Sequence, residues 1–182
     1  PEMKPYVYGS HYSNPVYVAN YLTRLFPFSH IAIELQGANF DKPDRLFCSV
    51  QTSFFNSATQ KTDLRELIPE FYYLPEMFRN LNNLNMGIKE NNELVDNVLT
   101  PCNNEPFEFV TTLRKVLEST KVSSNIHKWI DLIFGYKQRG KEADAAYNVF
   151  TDKSYEDLVD TRKEPDKACL YRLVEFGLTP EQ

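Results

Sequence analysis

Cysteine, glycine and histidine are all scarce in this 182-residue chain, at three, six and three residues. Cys48, Cys102 and Cys169 lie far apart with no Cys-x-x-Cys pair, which excludes a disulfide framework and a cysteine-rich zinc site. No Asn-x-Ser/Thr acceptor occurs. These absences suit a reducing, cytosolic setting in which each cysteine serves as a small buried hydrophobe. His11, His30 and His127 are too scattered for a His-Glu-x-x-His metal motif. Gly-x-Gly-x-x-Gly and the Gly-x-Ser-x-Gly elbow are also missing, so dinucleotide binding and serine-hydrolase chemistry lack their usual scaffolds. No apolar run approaches the roughly 20 residues of a membrane span, and no signal peptide opens the chain. A soluble, cytoplasmic protein is expected.

What is abundant is aromatic. Eleven Tyr, thirteen Phe and one Trp favour a packed interior over disorder. A hydrophobic share of 42% with 25% charged residues falls in the range of soluble globular chains. The net charge of −5 argues against generic binding to nucleic acid or to acidic membrane, while leaving room for a local basic patch.

The most informative stretch is Trp129 to Gly140, WIDLIFGYKQRG. Ile126, Trp129, Ile130 and Ile133 recur at i, i+3, i+4 and i+7 and so share one helical face. Gly135 is expected to end that helix as a left-handed C-cap. Tyr136, Lys137, Gln138 and Arg139 then put a ring, an amide and two cations on a short loop closed by Gly140. Gly135-x-x-x-x-Gly140-Lys141 copies the glycine and lysine spacing of a phosphate-binding P-loop. Glu142 occupies the Ser/Thr slot, however, and would repel phosphate. The residues before it have helical period where a strand is required, so a helix–loop–helix corner is the better reading. An acidic group such as Asp131 is expected to pair with Lys137 or Arg139 and fix that corner.

Along the chain, Pro1 to Tyr8 reads as an extended edge or entry linker. Ser13-Asn14-Pro15 opens a helix with Val18, Tyr21, Leu22 and Leu25 on its face, closed by Pro27. Ile31, Ile33 and Leu35 alternate with Ala32 and Glu34, which suggests an extended segment. From Gln36 to Asn97 neither period holds for more than a turn or two, yet Phe71, Tyr72, Tyr73, Leu74 and Phe78 are too apolar for a solvated loop. An irregular buried backbone must find partners outside regular ladders, and Arg45, Glu66 or Glu70 are candidates to supply them. Pro106 begins a helix bearing Val110, Leu113 and Leu117 and ending near Thr120, and Ser123 is placed to cap the next. Ala143, Ala146, Tyr147 and Phe150 suggest a further helix after Gly140. Ser154-x-x-Asp157 resembles a capping box, and a last helix from about Pro165 would bury Cys169, Leu170 and Leu173 and stop at Gly177.

Catalytic constellations are thin. His11 lies beside Ser10 and Ser13, but neighbours on one turn cannot supply the geometry of a triad. Glu66/Glu70 and Asp41/Asp44 sit beside Lys42 and Arg45, which makes ion pairs or loop capping sufficient explanations.

Six segments together are similar to the BEACH domain shared by the beige, Chediak–Higashi and neurobeachin-like proteins. They are YGSHYSN (Tyr8 to Asn14), RLFPF (Arg24 to Phe28), FDKPDRLF (Phe40 to Phe47), ELIPEFYYLPEMF (Glu66 to Phe78), HKWIDLIFGYKQRG (His127 to Gly140) and FGLTPEQ (Phe176 to Gln182). Departures from the family pattern fall at Asn85-Met86-Gly87, at LTPCN (Leu99 to Asn103) and at Leu178, and touch local packing.

The resemblance implies a mainly α fold with irregular extended core segments. Residues 1–182 would form a single module, roughly the C-terminal two-thirds of the family's domain, whose opening part lies upstream of Pro1. An apolar face meant for that upstream part would then be exposed. It further implies a large cytoplasmic scaffold in vesicle traffic, lysosome size control and autophagy, peripheral on intracellular membranes through its parent protein. A PH-like domain is expected before the module and WD repeats after it, with no catalytic activity, no cofactor and no metal. Partner binding is assigned to Tyr136, Lys137 and Arg139. Two alternatives stay open: binding of a phosphoinositide or membrane surface through Lys137, Arg139 and Lys141, and an unrecognised hydrolase using His11.

Overall fold

Proline sets much of the architecture. It stands at the first turn of several elements in the computed structural model, which describes residues 5–9, 15–60 and 63–155. In chain order the helices are α1 (Pro15–Tyr21), α2 (Phe28–Leu35), α3 (Val50–Thr59), α4 (Pro101–Asn104), α5 (Pro106–Leu117), α6 (Thr120–Ser123), α7 (Ile126–Ile133) and α8 (Gly140–Ala145). Four 3-10 turns punctuate them: η1 (Pro43–Arg45), η2 (Pro69–Tyr72), η3 (Pro75–Phe78) and η4 (Asp152–Ser154). About half of the described residues are helical, and among them only isolated β-bridges occur. A mainly α chain is what the resemblance implied. The helix expected from Pro165, the Asp157 half of the capping box, Cys169, and His11 with Ser10 and Ser13 lie outside the described residues.

The chain folds as two compact units. Val16–Thr59 and Glu66–Leu117 make the first. Its centre is a chain of rings: Tyr21 meets Phe47 and Phe71 edge-on with centroids 4.9 Å apart, Phe71 meets Phe78 at 5.5 Å, and Phe78 meets Phe109 at 5.6 Å. Edge-to-face pairs add about 0.5–1.5 kcal/mol each beyond burial. The two proline-led turns of PEFYYLPEMF drive Phe71, Met77 and Phe78 inward while Tyr73 points to solvent. Helix α5 buries Phe109 and Val110 against the same cluster. Leu46, Met86 and Val95 form a smaller second cluster.

With so little ladder, backbone groups in this unit are paired by side chains. Arg24, fully buried, donates from Nε to the Asp96 carbonyl and from Nη1 to the Phe47 carbonyl, both at 2.7 Å. The Arg24 carbonyl accepts in turn from the Asn82 amide at 2.9 Å. Asn80 both donates to the Leu84 carbonyl and accepts from the Leu84 N–H, at 3.0 and 2.9 Å. Burial holds the Arg24 pKa below its usual value, partly offset by Cys48 and Asp96.

Several sequence expectations need correction here. Ile31, Ile33 and Leu35 lie on helix α2, where Ser29, Ala32 and Ile33 share the inward side, so the apparent alternation over five residues was a helical period read too short. Gln36 to Asn97 contains the ten-residue helix α3, an uncharged segment whose weak amphipathicity hid it. Arg45 pairs with Asp41 at 3.6 Å and Glu70 accepts from the Tyr73 hydroxyl at 3.2 Å, while the buried backbone is served by Arg24 and the asparagines. Val18, expected on the buried face of α1, is 37% exposed.

A left-handed turn precedes α5. Cys102, Asn103 and Asn104 have φ of 60°, 57° and 62°, closed by a bond from the Glu105 N–H to the Cys102 carbonyl at 3.1 Å. Helix α5 then starts at Pro106 as its periodicity predicted and ends at Leu117, short of the expected Thr120.

Among the described residues, the second unit contains 5–9, Pro15, Gln60, 63–65 and 118–155. Within 5–9, Tyr8 bridges Phe150 in parallel, with Val7 and Tyr8 N–H groups on the Val149 carbonyl and the Thr151 N–H on the Tyr8 carbonyl. Ser119, rather than Ser123, is the capping serine, accepting from the Val122 N–H at 3.3 Å to start α6. Ser123 is spent inside that turn, and α7 starts at Ile126 with no side-chain cap from Asn125 before it.

Candidate functional site

The corner between α7 and α8 is built by local bonding. After Ile133 the helix closes with the Phe134 and Gly135 N–H groups both on the Ile130 carbonyl, at 2.9 and 3.0 Å. The Lys137 N–H then reaches back to the Asp131 carbonyl at 3.0 Å, and the Gln138 N–H bonds Gly135 at 3.0 Å. The Gln138 side chain is 1% exposed and donates from Nε2 to the Ile133 carbonyl at 2.6 Å. From beyond α8, Asn148 donates Nδ2 to both the Leu132 and Lys137 carbonyls, at 2.8 and 3.0 Å. Carbonyls orphaned at the C-terminus of α7 are thus met by two carboxamides. Asn148 was missed in the sequence, since a single asparagine after a helix carries no periodic signal.

Gly135 is required for space. It is absent from the positive-φ residues, contrary to the left-handed cap expected, and a Cβ there would stand 2.7 Å from the Asp131 Cα. The left-handed glycine is Gly140, with φ of +71° at the first position of α8. Helix α8 ends at Ala145, earlier than the Ala143–Phe150 pattern predicted, because Tyr147 turns left-handed at φ 57° and Asn148 is drawn to α7.

Tyr136 projects to solvent at 58% exposure. The Lys137 ammonium lies 5.4 Å from the Tyr136 ring centroid, and the Arg139 guanidinium lies 5.4 Å from that of Tyr155. Such contacts contribute about 0.5–1 kcal/mol at exposed sites. Among the described residues no ion pair joins Asp131 to Lys137 or Arg139; Asp131 contributes its backbone carbonyl to Lys137 instead. The structure thus brings Tyr136 and Lys137 together and directs Arg139 toward Tyr155. Lys141 is exposed on α8, and Glu142 sits in the first turn of that helix. The P-loop likeness ends there: α7, a helix, precedes the glycine pair where a strand is needed.

Helix α7 carries an apolar face into the corner. Ile133 is buried, while Ile126, Trp129 and Ile130 are 43%, 46% and 42% exposed. Trp129 packs edge-on against Phe134 at 6.3 Å. His127 is on the surface of the same helix. Among the described residues no group of three or more His, Cys, Asp or Glu is placed to hold a metal, and no helix is long and apolar enough to cross a membrane. Cys48 and Cys102 are free thiols, each half-buried.

A family model described as "Beige/BEACH domain" matches residues 1–182. BEACH domain-containing protein B of Arabidopsis thaliana is 44% identical over 188 residues, covering all of this chain and 7% of that protein. BEACH domain-containing protein lvsD of Dictyostelium discoideum is 43% identical over 187 residues, covering all of this chain and 6% of its own length. A putative neurobeachin homolog of Caenorhabditis briggsae is 45% identical over 181 residues, 96% of this chain and 7% of its own. The chain therefore spans less than a tenth of each of these relatives.

Proposed function

The chain belongs to the Beige/BEACH domain family, and we propose that it is a non-catalytic protein-interaction module of a large scaffold acting in vesicle and membrane traffic. Its relatives at 43–45% identity are proteins many times its length, which supports a role as one module in a larger assembly. The observation that carries the reading is the α7–α8 corner. Its Phe134, Gly135, Lys137 and Gln138 amides are bonded to backbone carbonyls, two carboxamides meet the last carbonyls of α7, and the exposed ring of Tyr136 stands beside a cation just beyond the partly exposed face of α7. An aromatic and a cation on a rigid corner form a suitable anchor for another protein, because little side-chain or loop entropy is lost on docking. In this reading Tyr136 and Lys137 contact the partner and Arg139 supports the surface from Tyr155. A PH-like domain in the same polypeptide is one proposed neighbour, with other trafficking proteins as further partners.

The test replaces Tyr136 by Ala and Lys137 by Glu in the intact protein and quantifies its neighbours by proximity labelling. Loss of a defined set of protein neighbours, at unchanged abundance and melting temperature, is the expected result. An unchanged set would overturn the assignment of this corner. Loss of flotation with phosphoinositide vesicles and retention of every protein neighbour would assign it to lipid instead.

A further inference from the structure

The first unit carries a groove remote in sequence from the α7–α8 corner. It is an open depression of about 190 Å³ between η3 and the start of α5. Pro75, Leu81, Pro106 and Phe107 make its apolar wall, with Leu81 64% and Phe107 74% exposed. Glu76, Arg79 and Glu105 stand at its edge. Typical small-molecule sites begin near roughly 300 Å³, so the volume suits one large side chain better than a metabolite.

Both walls are anchored in the core. Met77 and Phe78 hold η3 at 0% exposure, and Phe109 and Val110 hold α5. The left-handed turn at Cys102–Asn104, with its bond from the Glu105 N–H to the Cys102 carbonyl, fixes where α5 begins. Three consecutive non-glycine residues in that region persist only where surrounding structure dictates them. A groove held this way needs little reordering to accept a ligand.

Charge selects the ligand. Arg79 is paired with Glu105 at 3.5 Å, whereas Glu76 has no cationic partner among the described residues. The edge therefore has one uncompensated carboxylate. We infer that this groove takes a single apolar side chain of an extended peptide segment, with a lysine or arginine next to that anchor lying against Glu76. The inference rests on the interaction-module reading and extends it to a second surface and a stated partner chemistry.

The test titrates the isotope-labelled 182-residue chain with two capped tripeptides, acetyl-Phe-Lys-Lys-amide and acetyl-Phe-Glu-Glu-amide. It follows the backbone amide resonances of Leu81, Glu105 and Phe107. The cationic probe is expected to move these signals and to bind about threefold to fivefold tighter than the anionic one, as one exposed ion pair allows. Glu76→Lys, an exposed substitution that leaves the core untouched, should reverse that preference. Replacing the probe's Phe by Gly should abolish the shifts. Equal affinity for the two probes, no reversal with Glu76→Lys, or shifts confined to other residues would overturn the inference. A Tyr136→Ala/Lys137→Glu chain should bind the cationic probe normally, so failure here and failure at the corner are separate outcomes.

Discussion

Removing Arg24 strikes the polar bonding at the centre of the first unit. Its guanidinium is fully buried and donates two charge-assisted hydrogen bonds of 2.7 Å to the carbonyls of Asp96 and Phe47. Each carbonyl left without a partner costs about 1–3 kcal/mol. Truncation to alanine also empties the volume of a long side chain, so Arg24→Ala should cost about 3–5 kcal/mol. Arg24→Met separates the two contributions: it keeps the stem volume and removes a buried charge whose desolvation is expensive, so it should cost about 2 kcal/mol less than alanine. Arg24→Lys keeps the charge but cannot present two fixed donors to two carbonyls, and should fall between them. Urea denaturation followed by circular dichroism measures all three. An Arg24→Ala variant within about 1 kcal/mol of the parent would refute the reasoning, since water would then be satisfying both carbonyls.

Further expectations follow from the same structure. Phe71→Ala should cost about 3–5 kcal/mol, because its ring contacts Tyr21, Phe47 and Phe78, whereas Tyr73→Ala, two residues on, should stay within about 1 kcal/mol by the same denaturation assay. Gly135→Ala drives a Cβ to 2.7 Å from the Asp131 Cα and should cost about 1–3 kcal/mol; Gly140→Ala meets open space and should cost about 1 kcal/mol from its left-handed backbone alone. Burial, and then the Glu66 carboxylate, raise the Tyr72 pKa above its usual 10.0. A raised folded-state pKa gives stability that is complete below the unfolded value and lost as pH climbs through the folded one. Urea midpoints of the parent should therefore fall more steeply above about pH 10 than those of Tyr72→Phe, and parallel curves would contradict this.

Helices with strong faces were legible in the sequence: α5 from Pro106 and α7 from Ile126 stand where their periods put them. So was the irregular, aromatic character of PEFYYLPEMF, because prolines two residues before and two residues after the Phe-Tyr-Tyr run allow neither long helix nor strand. What escaped was set by tertiary contact. The helix after Gly140 looked by pattern to reach Phe150 but ends at Ala145, beyond which Asn148 bonds back to α7. Gly135 read as a conformational glycine and is a steric one, a distinction visible only once Asp131 is placed behind it. Arg24 gave no sign of burial, since a lone arginine between Thr23 and Leu25 reads as surface until its two carbonyls are in position. At the candidate site the sequence marked Tyr136, Lys137 and Arg139 together, while the second cation turns out to face Tyr155.

The functional reading needs the α7–α8 corner to be a rigid surface with its Phe134, Gly135, Lys137 and Gln138 amides already bonded, and backbone hydrogen exchange reports on that directly. In the folded chain the Phe134, Gly135, Lys137 and Gln138 amides should exchange at rates comparable with the interior of α7, and Gln138→Ala should accelerate them at least tenfold. Exchange of those four amides at the speed of an unstructured peptide would contradict the account.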